Sequence, residues 1–208
     1  MQKGHKDGPS TSTITARVFE DLPGTWVLNR NLQSANSSEP SGRCIGKATF
    51  TRRQPSPVID DDGKLQLADA ELLYHEEGKF ELARSGSGQT CRSLKFPFSR
   101  KYVWRLQERE GVYTISIWFT KPGTNIIDYL FHNIDIALSN HDAFAESREI
   151  ALHGAGGHVC VDDFYSSLYN FNLSSKAPDS VSLVSWNMTH EVRGPKKDQT
   201  IETTFTKT

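Results

Sequence analysis

Short runs of alternating apolar and polar residues fill most of the chain after Pro23, and turn-forming residues separate them. Alternation with period two is typical of strands that bury one face, and no long helical period interrupts it. We therefore expect an all-β fold, a closed antiparallel β-barrel of about 8–10 strands. The runs that we predict to be extended are Thr25–Leu32, Gly46–Arg52, Glu71–His75, Lys79–Ala83, Tyr102–Gln107, Val112–Thr120, Ile126–His132, Ile150–His153, Gly157–Val161, Tyr165–Phe171, Ser182–Val192 and Thr200–Thr206.

Turn-forming residues indicate where neighbouring strands connect. Glu77-Gly78 predicts a tight turn between two short strands, and Glu108–Gly111 predicts the connection of the clearest hairpin. The polar segments Gln54–Gly63 and Ser85–Gln89 are expected to be loops.

The chain has 208 residues, which fits one domain with a real core. Residues 1–14 are polar and rich in Gly, Pro and Ser, and we expect a disordered leader there. Residues 15–208 form the expected single barrel domain. A short helical turn is predicted at Thr15–Asp21, where Phe19 and Leu22 would plug one end of the barrel.

The composition of the chain limits which binding partners and which cellular compartment we expect. Lys and Arg number 24 against 25 Asp and Glu, a net charge of -1, so no basic field favours nucleic acid. No stretch approaches the ~18 apolar residues that span a bilayer, and the first residues lack the apolar core of a secretory signal. Three widely separated cysteines argue against a disulfide framework. We expect a cytoplasmic protein without a membrane partner, and the sequence leaves a homodimer open.

Alternation also predicts which side chains face the interior. In the first strand Trp26, Leu28 and Arg30 share the more apolar side, and Tyr102 and Trp104 share one side of the central hairpin. An inward Arg30 needs a carboxylate, a ring of carbonyl groups or an anionic ligand to offset the loss of hydration of its charge. The alternative is that Arg30 lies at the barrel rim, half in water. Inward aromatic residues with polar tips suit an amphipathic ligand, and equally a filled core.

The opening of the first strand, Gly24-Thr25-Trp26, resembles the GxW signature of lipocalins, in which a basic residue near the last strand covers the Trp. Lys207 or Arg193 would do so here. The chain also resembles DUF6314, a family of lipocalin-like proteins of unknown function, which implies a lipocalin-like barrel. His190 departs from that family's pattern, where an aromatic residue is expected. The segments that carry the resemblance are Gly24–Trp26 with Arg30, Gly46–Phe50, Leu73–Gly78, Arg100–Trp104, Phe131-His132, His158–Tyr165 and Val192–Asp198.

The densest group of functional side chains is His158-x-Cys160-x-x-Asp163-x-Tyr165. On a strand His158 and Cys160 project to the same face, and Tyr165 would begin the next strand. We predict that His158 and Tyr165 are an acid/base pair and that Asp163 orients them. The alternative is a hydrogen-bonded plug at the barrel mouth. The predicted ligand-binding residues are Arg30, Tyr102, Trp104, His132, Cys160 and His190.

Three functions follow as hypotheses. The first is an enzyme without a cofactor that isomerises, cyclises or dehydrates a hydrophobic organic substrate inside the barrel. The second is a carrier or sensor of a hydrophobic metabolite. The third is a haem protein similar to nitrobindins, with His153, His158 or His190 as the iron ligand. No HxH or HExxH spacing is present, so no metal site is predicted.

Overall fold

The computed structural model describes residues 11–60, 62–83, 94–138, 149–177 and 180–208. The helix in this part of the chain, α1, is Thr11–Asp21. The strands are β1 (Gly24–Ser34), β2 (Gly42–Arg53), β3 (Val58–Ile59), β4 (Leu65–Gln66), β5 (Ala70–Leu82), β6 (Lys95–Arg109), β7 (Val112–Thr120), β8 (Ile127–Leu138), β9 (Glu149–Cys160), β10 (Asp163–Ala177), β11 (Ser180–Arg193) and β12 (Asp198–Lys207).

Ten of these strands close into an antiparallel barrel in the order β1-β12-β11-β10-β9-β8-β7-β6-β5-β2. The sheet has no free edge, because β1 pairs with β12 on one side and with β2 on the other. The predicted all-β, closed antiparallel barrel is confirmed. None of the described residues forms a helix that is long and apolar enough to cross a membrane.

Helix α1 packs on one end of the barrel. Ile14, Val18 and Phe19 are buried there, and the carboxylate of Asp21 accepts a hydrogen bond of 2.9 Å from the amide of Leu183. The predicted helical plug is therefore present, but it begins at Thr11, inside the segment expected to be a leader. The first ten residues of that leader lie outside the described residues, as does the predicted loop Ser85–Gln89.

Aromatic rings fill the barrel between α1 and the middle of the strands. Trp26 is fully buried, its indole Nε1 donates to the carbonyl of Leu22 at 2.9 Å, and the ammonium of Lys207 lies 5.3 Å from its ring centre. A basic residue near the last strand does cover this Trp, and it is Lys207. Deeper in the core Trp186 stacks on Phe205 with 3.6 Å between ring centres.

The predicted turn at Glu77-Gly78 is wrong, because β5 runs without a break from Ala70 to Leu82. Gly78 lies opposite Gly46 of β2 in the antiparallel register. A Cβ on Gly78 would lie 2.3 Å from the carbonyl oxygen of Ile45, and one on Gly46 would lie 2.1 Å from that of Glu77. The two glycines thus let neighbouring strands approach closely, which is a role of glycine inside a strand.

The hairpin of β6 and β7 is confirmed, with a shorter connection than the predicted four residues. Only Glu110 and Gly111 lie between the strands, and their φ angles are 53° and 81°. Two successive positive φ values are typical of a type I′ turn, which matches the twist of the flanking strands.

The segment predicted as the polar loop Gln54–Gly63 contains β3, which pairs with β4 outside the barrel. It covers an outer face of the sheet, where Arg105 is buried and forms an ion pair of 3.2 Å with the buried Glu71. Arg105 also donates to the carbonyl of Ser56 at 2.7 Å and so holds this segment on the barrel.

Candidate functional site

A cavity of about 390 Å³ lies inside the barrel, at the low end of the ~300–1,000 Å³ range of small-molecule sites. Its lining reaches the β9–β10 and β11–β12 connections, which the antiparallel order places at the end opposite α1. The predicted site residues that border it are Arg30, Tyr102, Trp104, His158, Cys160, Tyr165 and His190.

An ion pair lies inside the cavity. The guanidinium of Arg30 donates to both carboxylate oxygens of Glu76, at 2.8 and 2.7 Å, and its Nε donates to the hydroxyl of Thr203 at 2.9 Å. Burial opposes the charge of Arg30, but attraction to Glu76 outweighs it and raises the arginine pKa. Of the partners expected for an inward Arg30, the structure therefore provides a carboxylate.

Tyr74 extends this pair, because its hydroxyl donates to Glu76 at 2.6 Å. Burial, followed by the negative charge of Glu76, raises the pKa of Tyr74 well above its ordinary value and that of Tyr102 to about 12. Both phenols therefore stay protonated at neutral pH and act as hydrogen-bonding groups in the cavity wall.

Phe131 lies in the cavity wall among three side chains with polar groups, Tyr102, His158 and His190. Its ring centre is 6.2 Å from that of Tyr102, 5.4 Å from that of His158 and 5.9 Å from that of His190. An apolar ring among these side chains gives a ligand a hydrophobic surface with hydrogen-bonding groups at its edge.

A bulge in β8 turns His132 to the same side as Phe131. Trp118 pairs with Leu130 and Ile117 pairs with His132, which leaves Phe131 as the extra residue. His132 is buried behind the cavity wall, where its Nε2 lies 2.7 Å from the hydroxyl of Tyr169. Burial, followed by the charges of His190 and His158, lowers the pKa of His132 to about 3.

His190 is the histidine of β11 that borders the cavity. Its Nδ1 lies 2.7 Å from the hydroxyl of Ser167, which faces it across the β10–β11 pairing. Burial, followed by the positive charge of Arg30, lowers the pKa of His190 to about 4. The ring is therefore neutral at pH 7.

The mouth of the cavity brings His158, Tyr165 and Lys197 together. His158 and Tyr165 are direct partners in the β9–β10 register, and their ring centres are 6.3 Å apart. The ammonium of Lys197 donates to the hydroxyl of Tyr165 at 2.9 Å, and this bond raises the lysine pKa. Cys160 also borders the mouth, as does His158 two residues before it on β9, and Cys160 is exposed.

Asp163 has a different contact from the one proposed on the sequence. It is buried, and its carboxylate accepts a hydrogen bond of 3.2 Å from the backbone amide of Lys196. A Cβ on Gly194 would lie 2.2 Å from the same carboxylate oxygen. Asp163 therefore anchors the β11–β12 connection that carries Lys197, and the prediction that it orients His158 or Tyr165 stays a prediction.

The family model for DUF6314, a family of unknown function, matches residues 22–207. The chain belongs to the DUF6314 family. Comparisons with curated proteins and with solved structures found no match. The DUF6314 match covers the whole barrel and the cavity, and it includes each predicted site residue. Since its description assigns no activity, the function of this barrel has to be argued from the site.

Sequence reasoning missed several residues of the DUF6314 site. Glu76 was overlooked because Glu77-Gly78 suggested a turn. An inward Arg30 needed a partner such as a carboxylate, but the sequence did not indicate that this partner lies two strands away. Lys197 follows Pro195 in a turn-rich segment, which gives no sign that its ammonium donates to Tyr165. The sequence could have predicted that Ser167 and Tyr169 face the same side as Tyr165, because the three residues alternate along β10.

The three histidines considered as haem ligands do not share one position in the DUF6314 barrel. His153 lies on the outer surface beside Asn170, whereas His158 and His190 border the cavity. Among the described residues no group of three or more His, Cys, Asp or Glu side chains is placed to hold a metal ion.

Proposed function

We propose that the barrel binds a small organic molecule with a mainly apolar body in its cavity. The observation that supports this most is the space itself. The α1 end is packed with aromatic rings, yet about 390 Å³ stays open at the other end among Trp104, Phe131 and Met188. A filled structural core would close such a volume, because protein interiors pack to crystal-like density.

Calorimetric titration with a bicyclic aromatic ketone, 2-acetylnaphthalene, tests this proposal. We expect the wild-type protein to bind it and Ile201→Phe to lose binding, because Ile201 borders the cavity and a larger ring would occupy it. Ile45→Phe is the matched control, since Ile45 is 53% exposed on the outside of the barrel. Equal affinity of all three proteins would place the ligand outside the cavity and contradict the proposal.

A second candidate function is acid/base catalysis on the bound molecule, an isomerisation, cyclisation or dehydration. The contact that favours it is the hydrogen bond between Lys197 and Tyr165 beside His158. A phenol held by an ammonium next to an imidazole provides a proton donor and an acceptor near one reacting atom. Asp163 supports this arrangement by anchoring the backbone at Lys196.

Mass spectrometry distinguishes catalysis from simple binding. A small-molecule extract of cells that lack the protein is incubated with wild type, His158→Ala or Tyr165→Phe. An enzyme converts one compound over many turnovers and loses that conversion in both variants. A carrier retains one compound in stoichiometric amount, and all three proteins then behave alike.

A further inference from the structure

The charged side chains that line the cavity do not cancel one another. They are Arg30, Glu76, Arg100 and Lys197. The pair of Arg30 and Glu76 is closed, because both carboxylate oxygens accept from the guanidinium and one of them also accepts from Tyr74. The lining therefore keeps two further positive charges, on Arg100 and Lys197. The whole chain has a net charge of -1, so this positive excess is local to the cavity.

Lys197 is held at the mouth with unused hydrogen-bond donors. Its ammonium donates to the hydroxyl of Tyr165 at 2.9 Å, and this bond raises the lysine pKa, so the group is charged at neutral pH. An ammonium has three N–H donors, and of the residues that the structure describes only Tyr165 accepts from this one. The charge of Asp163 also raises the pKa of Lys197, but that carboxylate accepts from the backbone amide of Lys196 and forms no ion pair with Lys197.

Two further donors line the same cavity. The hydroxyl of Tyr165 accepts the bond from Lys197 through a lone pair, and its own proton has no acceptor among the described residues. Arg100 is exposed, so it lies on the open side of the cavity, where its guanidinium donates to the carbonyl of the adjacent Ser99 at 3.1 Å. None of the described carboxylates forms an ion pair with Arg100 or Lys197.

The lining beyond these donors is mainly apolar and includes Ile117, Phe131 and Met188. An anion deeper in the cavity would lose its hydration beside hydrocarbon, and the guanidinium of Arg30 there is already paired with Glu76. An anion at the mouth meets unpaired cations and keeps contact with water. The favourable place for a negative charge is therefore the mouth, and the favourable place for an apolar body is the interior.

We propose that the ligand is an organic carboxylate whose apolar body fills the cavity and whose carboxylate accepts hydrogen bonds from Lys197 and Tyr165, with Arg100 adding positive charge. The inference rests on the proposed binding of a small molecule in this cavity, and it names the class of that molecule. Hydrogen bonds between an ammonium and a carboxylate are stronger than those between neutral groups, so the mouth favours a carboxylate over a neutral group of the same shape.

Calorimetric titration of the full-length protein at pH 7 with 2-naphthoate and 2-naphthamide tests the inference, because these probes have nearly the same shape and differ in charge. We expect wild type to bind 2-naphthoate about tenfold tighter than 2-naphthamide. In Lys197→Met this ratio should fall to near one while the affinity for 2-naphthamide is kept, which also shows that the variant is folded. Lys196→Met is the matched control and should keep the ratio, since the Lys196 side chain is exposed outside the cavity lining and the change leaves its backbone amide in place.

Three results would overturn the inference. The first is a ratio near one in wild type, and the second is a ratio that Lys197→Met leaves unchanged. The third is an equal fall in both lysine variants, because the overall charge and not the position of Lys197 would then set the preference. If neither probe binds wild type, the carboxylate inference also fails, and titration with 2-acetylnaphthalene decides separately whether the cavity binds a small molecule at all.

Discussion

At the scale of single residues, the ion pair of Arg30 and Glu76 sets the character of the cavity. Glu76 is 2% exposed, so Glu76→Gln leaves a buried guanidinium without its counter-charge. We expect a loss of about 3–5 kcal/mol in the free energy of unfolding, which urea denaturation measures. Glu77→Gln is the matched control on the next residue, since the ion pair of Glu77 with Lys47 is in solvent and its loss should leave stability unchanged. Equal effects of the two changes would contradict the buried pair.

His190 makes stability depend on pH. Its pKa is about 4 in the folded protein against an ordinary 6.5, so the unfolded chain takes up a proton first as the pH falls. Stability is therefore complete above about pH 6.5 and declines toward pH 4, by at most about 1.4 kcal/mol per pH unit for one histidine. Unfolding measured from pH 4 to 7 should show a shallower decline in His190→Phe. A parallel decline in both proteins would exclude a buried neutral His190.

Residue-level prediction from the sequence succeeded where alternation alone decides the side chain's direction. Arg30, Tyr102 and Trp104 face inward as the period of two requires. Residue-level prediction failed where a partner comes from a distant strand. Glu76 of β5 reaches Arg30 of β1 across β2, and the sequence does not show that β2 lies between these two strands.

At the scale of the strands, the close approach of β2 and β5 depends on two glycines. Gly78→Ala should destabilise the barrel by about 1–3 kcal/mol or more, because the added Cβ would lie 2.3 Å from a backbone oxygen that cannot move away. Gly157→Ala is the matched control on β9, since its Cβ would meet Phe164 at an ordinary 3.4 Å. Thermal unfolding compares the two variants, and similar midpoints would refute this role of Gly78.

Strand boundaries were predictable where turn chemistry is strong and alternation is regular. Gly111 marked the β6–β7 hairpin, whereas Gly78 was misread as a turn because a glycine inside a strand gives the same local signal. The bulge of β8 was not predictable either. One extra residue at Phe131 changes which side chains face inward, and only the pairing with β7 reveals it.

At the scale of the whole molecule, the barrel has a packed end and an open end with separate tasks. Phe19 of α1 is fully buried at the packed end, whereas Ile201 borders the cavity. Phe19→Ala should cost about 3–5 kcal/mol of stability through the cavity that it leaves. It should keep the affinity for 2-acetylnaphthalene within about twofold, because the distant mouth is unchanged.

Ile201→Phe should do the reverse, with binding lost and most of the stability kept, since Ile201 lies beside open space that a larger ring can enter. Urea denaturation and calorimetric titration of both variants measure the two effects on the same samples. If Phe19→Ala lost binding in proportion to its stability, the two ends would be one cooperative site, and the packed aromatic core would itself shape the cavity. Independent effects instead mean that the α1 end is a scaffold. The choice of ligand then belongs to the residues that line the cavity, among them Arg30 and Lys197.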